Sequence, residues 1–206
     1  MLKIWGRNNS INVQKVMWTV AELGLSHERI DAGGAFGMVN EPNYLAMNPN
    51  ARVPVINDEG LIVWESNAIV RYLCAKHSDG ELWPSDPADR ARADRWMDWQ
   101  AASMVGDMTA IFWGMIRTPE AERNMDVIGA AVDRMNGATA ILDQHLGDNE
   151  WVAGDRMTMG DLAVGAMVYR WLHLPIERAE RPNVSAYHDR LAARPAFAEH
   201  VMIPLS

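Results

Sequence analysis

Two short stretches of this chain place polar groups where a helix is expected to begin. Ser10 and Asn12 precede Val13, Val16, Met17, Val20 and Leu23, a run at helical spacing. A hydroxyl or carboxamide there sits at the positive end of the helix dipole and can donate to an anion. No histidine lies near Ser10 in sequence, so this serine suits a hydrogen-bond donor and not a nucleophile. The simpler reading is that both residues only cap the helix. Glu65 and Ser66 stand before a second helical run, Ala68, Ile69, Tyr72 and Leu73. Glu65 can pair with an ammonium, while the Ser66 hydroxyl and the amides after it can hold a carboxylate. Here the bland alternative is a capping serine beside a solvated glutamate. Between these stretches lies Val53-Pro54. Only an X–Pro bond adopts the cis form cheaply, and such a turn exposes the Val53 amide and carbonyl for strand-like pairing. From sequence alone a trans proline opening an edge strand remains the favoured form.

Other reactive residue types are scattered. The histidines, His27, His77, His145, His173, His188 and His200, include no pair at i, i+4 on a helix, and the one cysteine is Cys74. No metal site, intrachain disulfide or CxxC redox pair is therefore expected. Cys74 follows Leu73 on an apolar helix and is expected to be buried and inert.

The elements that must carry these groups change often in the first third. Leu2 to Trp5 reads as a strand, followed by the helix that Gly24 closes, and Glu28 to Asp31 as a second strand. Gly33 to Gly37 must be a loop, and Tyr44 to Met47 a short helical turn. Pro54-Val55-Ile56 and Leu61-Ile62-Val63 flank Asn57-Asp58-Glu59-Gly60 as a hairpin. A breaker-rich linker follows at 79–86, so the expected domains are 1–78 and 87–206. After the linker everything is helical. Met97, Ala101, Met104, Met108, Ile111 and Met115 predict one stripe on a long helix that Pro119 interrupts. A second long helix carries Met125, Ile128, Val132, Met135, Leu142 and Leu146 on one face. Thr158 and Asp161 form an aspartate variant of the capping box, with Met157 and Leu162 as its hydrophobic staple. The helix they open, through Trp171, is mostly apolar and central to its domain.

Composition bounds the partners. Apolar residues make up 49 % and charged residues 22 % of the 206 residues, an ordinary globular balance. The net charge of −8 argues against nucleic acid and anionic membrane as partners. The first residues lack the apolar run of a signal peptide and no stretch approaches a membrane span, which points to the cytoplasm.

Three segments in order resemble the cytosolic glutathione transferases. Asn48-Pro49-Asn50-Ala51-Arg52-Val53-Pro54-Val55-Ile56 is similar to the family's "NPxGKVPxL" stretch, and Glu65-Ser66-Asn67-Ala68-Ile69 to its "ESxAI" stretch. Thr158 and Asp161 match the capping box of its helical domain. The opening strand with Ser10 and Asn12 is similar to the bacterial theta-like type. Together these cover nearly the whole chain. The resemblance implies an α/β plus all-α protein: a thioredoxin-like domain with a mixed four-stranded sheet, then a bundle of helices. It also implies glutathione as co-substrate, with Pro54 cis and the glutathione cysteine paired with the backbone of Val53. Glu65 and Ser66 would take the γ-glutamyl end, and Arg52 the glycyl carboxylate. Ser10, with Asn12 as a second donor, would stabilise the thiolate. Ala51 and Arg52 stand where the family has glycine and lysine, and Ala51 fits that turn with a negative φ.

The resemblance further implies a homodimer joined through the long helices, and a site for a small hydrophobic electrophile between the domains, with Met108, Trp113 and Arg117 as candidates. The leading activity is transfer of glutathione to such an electrophile, a detoxifying reaction. A glutathione-dependent disulfide or peroxide reductase is the second reading, and a non-catalytic interaction protein of the same fold the third.

Overall fold

The computed structural model describes all 206 residues. The chain divides into two compact units, Met1–Trp83 with Pro195–Ile203, and Pro84–Arg194 with Pro204–Ser206.

In the first unit the strands are β1 (Leu2–Trp5), β2 (His27–Ile30), β3 (Val55–Asp58) and β4 (Leu61–Trp64). They form a mixed four-stranded sheet in the order β2-β1-β3-β4. β1 and β2 are parallel, as their connection through helix α1 (Ile11–Glu22) requires. The pairs β1–β3 and β3–β4 are antiparallel. The β3–β4 turn is tight because Glu59 and Gly60 both take positive φ, 54° and 99°, and Asn57 Oδ1 accepts the Gly60 amide at 2.8 Å.

Alternation along the strands directs Leu2, Ile4 and Ile56 to one face, where they pack with Val13, Val16 and Val20 of α1. Ile69 and Leu73 of α3 (Ser66–His77) complete that core. Gly6 lets α1 close over the end of β1, since a Cβ there would lie 2.4 Å from Val13 Cγ2. Across the sheet, Val55 packs with Ala32 and with Tyr44 of α2 (Pro42–Met47). Tyr72 and Lys76 of α3 both bond the Asp58 carboxylate, at 2.7 and 2.6 Å, and pin the helix to the hairpin. Cys74 is fully buried, and burial pushes its thiol up to about 12.

The second unit is helical: α4 (Pro87–Ser103), α5 (Val105–Phe112), α6 (Met125–Asp148), α7 (Met159–His173) and α8 (Pro182–Ala192). The single long helix expected through Met97 to Met115 is broken at Met104, whose φ and ψ of −119° and −33° leave the helical path. Ala101 is exposed. The buried face of α4 is Ala93, Trp96, Met97 and Gln100, centred on the side of Met97 away from Ala101. Met125 at the start of α6 is likewise 57 % exposed. α5 runs into a π-helical turn, Trp113–Arg117, closed by the Thr118 amide on the Trp113 carbonyl at 2.9 Å. The last helix, α9 (Pro195–His200), belongs to the first unit. Its Phe197 meets Trp18 of α1 edge-on, ring centroids 4.8 Å apart. That contact has no periodic signature, and sequence reading places the segment with the helices of 87–206.

The capping box expected at Thr158 and Asp161 is present, and α7 is buried from Met159 to Trp171. Asp161 is fully buried and accepts the amides of Thr158 and Val152 at 2.8 and 3.0 Å and the Tyr187 hydroxyl at 3.0 Å. Burial pushes its carboxyl up to about 6, with those bonds pulling the other way. No helix is long and apolar enough to cross a membrane. Asp161→Ala leaves buried donors without acceptors and is expected to cost about 3–5 kcal/mol, read as a lowered midpoint in urea unfolding. An unchanged midpoint would show that the box does not anchor α7.

Candidate active site

The first turns of α1 and α3 carry the polar groups singled out above, and side-chain bonds join the two helices there. Ser66, 6 % exposed, donates its hydroxyl to Asn12 Oδ1 at 3.2 Å. One residue further along α3 and one turn further along α1, Lys15 Nζ donates to Asn67 Oδ1 at 2.8 Å. Positions 12 and 15 share a helix face, so the two bonds form a ladder between adjacent helices.

Ser10 occupies the N-cap position of α1 with extended φ and ψ of −86° and 121°, but its side chain makes no capping bond. The simpler reading, a serine that only caps, is not the arrangement found. Its carbonyl accepts the Gln14 amide at 2.9 Å, so the backbone begins the helix while the hydroxyl is left for other work.

Glu65 is exposed and stands at φ 70°, ψ 111°, a conformation that L-residues avoid. Such backbone costs of order 1–3 kcal/mol and persists where its surroundings fix it. Here the fixing groups are Ser66 and Asn67, each bonded to α1. The Glu65 side chain does not cap α3, and the first turn of that helix holds no acidic residue.

The approach to β3 is built by backbone acceptance. The Val53–Pro54 bond is cis. The Arg52 carbonyl accepts the Tyr44 hydroxyl and Asn48 Nδ2, both at 2.8 Å, while Asn48 Oδ1 takes the Asn50 amide at 3.0 Å. Burial pushes the Tyr44 hydroxyl up to about 12, so it stays a donor. The Arg52 side chain is exposed. Ala51 has φ 53°, contrary to the negative value expected for a residue bearing a Cβ. The Asn48 and Tyr44 bonds fix the loop on either side of it and impose the left-handed turn.

Gly33 and Gly34, at φ 79° and 58°, form the loop after β2. A Cβ on Gly33 would stand 3.1 Å from Arg7 Nη1 and 3.2 Å from Val53 Cγ1, so the guanidinium and the cis turn meet at this loop. The loop itself holds no basic residue, and Arg7 reaches it from the end of β1.

Sequence reading named Asn48, Asn67 and Tyr44 without giving them a role, and passed over Lys15. Lys15 is 3 % exposed, and burial drives its ammonium down to about 7, with the Glu65 charge pulling the other way. Its folded-state pKa lies below the unfolded one. The unfolded chain thus binds more protons between about pH 7 and 10.5, and the burial penalty is relieved as pH rises through that window. The one available signal was position: Lys15 stands among Val13, Val16 and Met17, three residues after Asn12.

The three electrophile-site candidates lie in the helical unit. Met108 is 2 % exposed, so it is a core side chain, and substrate contact is not what its environment provides. Trp113 is 54 % exposed on the π-helical turn. Arg117 lies over the Trp113 ring at 5.0 Å and donates to the Ser206 carbonyl at 2.8 Å. Its charge is therefore already engaged.

Comparison with known proteins places this geometry. The family model for the glutathione S-transferase N-terminal domain matches residues 1–75, and that for the C-terminal domain residues 107–195. The chain belongs to the glutathione S-transferase family. It is 41 % identical to glutathione S-transferase GstB of Escherichia coli (strain K12), with 100 % of both chains covered. Against glutathione S-transferase 3 of Zea mays it is 29 % identical, covering 99 % of this chain and 95 % of the other. Among solved structures, the theta class glutathione S-transferase of Xanthomonas axonopodis pv. citri with glutathione bound is similar at a TM-score of 0.97. It is 44 % identical, covering 100 % of this chain and 99 % of that one. The sequence-stretch resemblance to the bacterial theta-like type and the thioredoxin-like plus helical fold therefore both hold, and the chain is an enzyme of this family.

Ala51→Gly removes the Cβ from a left-handed residue, a conformation that costs roughly 1–2 kcal/mol, offset in part by the greater freedom of unfolded glycine. A net gain of about 0.5–1 kcal/mol is expected in urea unfolding. A loss would mean that the Ala51 side chain contributes packing worth more than its strain.

Proposed function

We propose that this transferase binds glutathione along the first unit and joins its sulfur to a small hydrophobic electrophile. The observation that carries the reading is Ser10, an N-cap serine whose hydroxyl is not spent on capping. A free thiol titrates near 8.5, and lowering it by about two units takes roughly 2.7 kcal/mol of preference for the thiolate. A hydrogen bond to a charged group supplies about 1.5–3 kcal/mol. One hydroxyl at the positive end of α1 is therefore enough in magnitude. Asn12, whose Oδ1 accepts the Ser66 hydroxyl, offers its Nδ2 as the second donor of that turn.

The remaining parts of glutathione have matching groups. Glu65 takes the γ-glutamyl ammonium, and Ser66 with the opening amides of α3 takes its carboxylate. The Ser66 proton is committed to Asn12 in this structure. Turning the Asn12 carboxamide over reverses that bond and frees the proton for the ligand. Val53 pairs with the cysteinyl backbone, and the exposed Arg52 meets the glycyl carboxylate. Trp113 offers apolar surface to the electrophile, with Arg117 over its ring. A cytoplasmic homodimer is the setting that family resemblance implies.

The test is ultraviolet titration of the thiol of glutathione bound to wild type and to Ser10→Ala, with conjugation of an aryl halide as the activity. Wild type should ionise the thiol about two units below its free value. The variant should lose most of that shift and at least tenfold in kcat, with glutathione still bound. A shift retained in Ser10→Ala would move thiol activation to Asn12 or to the backbone. Absence of glutathione binding at millimolar concentration would remove the transferase reading.

A further inference from the structure

The first unit holds a concavity of about 180 Å³, room for some six waters at roughly 30 Å³ each. Asn8, Gln14 and Met17 line it from α1 and the turn before that helix, and Arg29 from β2. Glu199 and His200 of α9, with Ile203 after it, complete the wall. The transferase reading uses none of these residues. Gln14 is the unexpected member. It is 4 % exposed, set between the fully buried Val13 and Val16, and its carboxamide makes no hydrogen bond within the fold. The other buried polar side chains of α1 all find acceptors: Lys15 on Asn67, the Trp18 indole on Glu22, and Thr19 on the Lys15 carbonyl. A carboxamide offers two donors and an acceptor oxygen, and packing alone would be served better by an apolar side chain of that length.

Arg29 and Glu199 bring opposite charges to this one cavity without pairing with each other. Nη1 of Arg29 is held by the Gly6 carbonyl at 2.8 Å and by Asp31, which leaves Nη2 and Nε uncommitted. Glu199 is exposed at the rim, with His200 Nε2 3.8 Å from its carboxylate. Burial, reinforced by His27 and Arg29 and opposed by Glu199, holds His200 below the ordinary histidine range. The ring is thus neutral near pH 7 and leaves the Glu199 charge uncompensated. We propose that this cavity binds a small zwitterion of amino-acid size, with its carboxylate on Arg29, its ammonium on Glu199 and its short apolar side chain against Met17 and Ile203. Gln14 then gains a partner, since a carboxamide bonds either charged end. A plain anion would meet Glu199 and a plain cation Arg29, so neither is favoured over a molecule carrying both charges. The volume lies below the roughly 300–1,000 Å³ of sites for drug-sized ligands, so glutathione itself is too large for it.

Methyl NMR of the protein labelled at its methionine methyls tests this, because Met17 stands in the cavity wall. S-hexylglutathione is kept at saturation, so that attraction of a zwitterion to Glu65 and Ser66 does not enter. The probes are L-valine, valinamide, which keeps only the cation, and isovalerate, which keeps only the anion. The Met17 signal should move saturably with L-valine at low-millimolar concentration. Valinamide and isovalerate should bind about tenfold more weakly, each lacking one charged contact. Glu199→Gln, a change at an exposed residue, should bring L-valine down to the level of isovalerate. Gln14→Met should weaken L-valine by about tenfold while S-hexylglutathione still binds. A Met17 signal unmoved by L-valine at tens of millimolar would overturn the proposal and leave a cavity that holds water alone. The same response to all three probes would also overturn it, as would L-valine binding undiminished in Glu199→Gln. If Gln14→Met fails to fold, the probe series and Glu199→Gln decide.

Discussion

A strained backbone survives only where its surroundings leave it no alternative, and Glu65 is the residue here that most needs such support. At φ 70° and ψ 111° it lies outside the regions open to L-residues, and its own side chain is exposed and does not cap α3. What fixes it is the pair of bonds that follow it, Ser66 to Asn12 and Asn67 to Lys15. These bonds tie the first turn of α3 to the first turns of α1. The apolar contacts of Val16, Ile69 and Leu73 hold the helix bodies together, but apolar packing is non-directional and does not set the rotation of a terminal turn. Two hydrogen bonds on successive residues do.

The same division of labour appears at the other wall of the site. The sheet and Tyr44 supply burial, while Asn48 and the Tyr44 hydroxyl converge on the Arg52 carbonyl and hold the Ala51 turn in left-handed geometry. Of the groups proposed to bind glutathione, the Ser10 and Glu65 side chains make no capping bond. Their neighbours Asn48, Tyr44 and Asn67 are bonded within the fold, which is the arrangement expected around groups that exchange partners with a ligand. Lys15 is a buried support whose side chain makes one bond, to Asn67 Oδ1.

Much of this was legible in the chain. The period-two strands, the Glu59-Gly60 turn, Gly24 after α1 and the Thr158–Asp161 box each have a local cause, and local causes leave local patterns. Ser10, Asn12, Glu65 and Ser66 were visible because short polar residues before an apolar periodic run mark helix starts. The features that escaped are set by contacts distant in sequence. The buried face of α4 is set by what packs on it, so the stripe of methionines does not show that the helix breaks at Met104. Phe197 joins the first unit because it meets Trp18, and no spacing rule links those positions. Met108 reads equally as core or as site lining in a stripe of methionines, and only its burial separates the two. Lys15 has no partner visible in sequence, because its bond to Asn67 spans 52 positions.

The central claim is that one surface, from the Val53 turn past Ser10 to the start of α3, receives the whole of glutathione. A crystal structure of the protein grown with glutathione tests it most directly. The account predicts the γ-glutamyl carboxylate against Ser66 and the first amides of α3, the cysteinyl backbone paired with Val53, and the sulfur within about 3.5 Å of Ser10 Oγ. A tripeptide bound with its sulfur away from Ser10, or with its γ-glutamyl end away from Glu65 and Ser66, would contradict it.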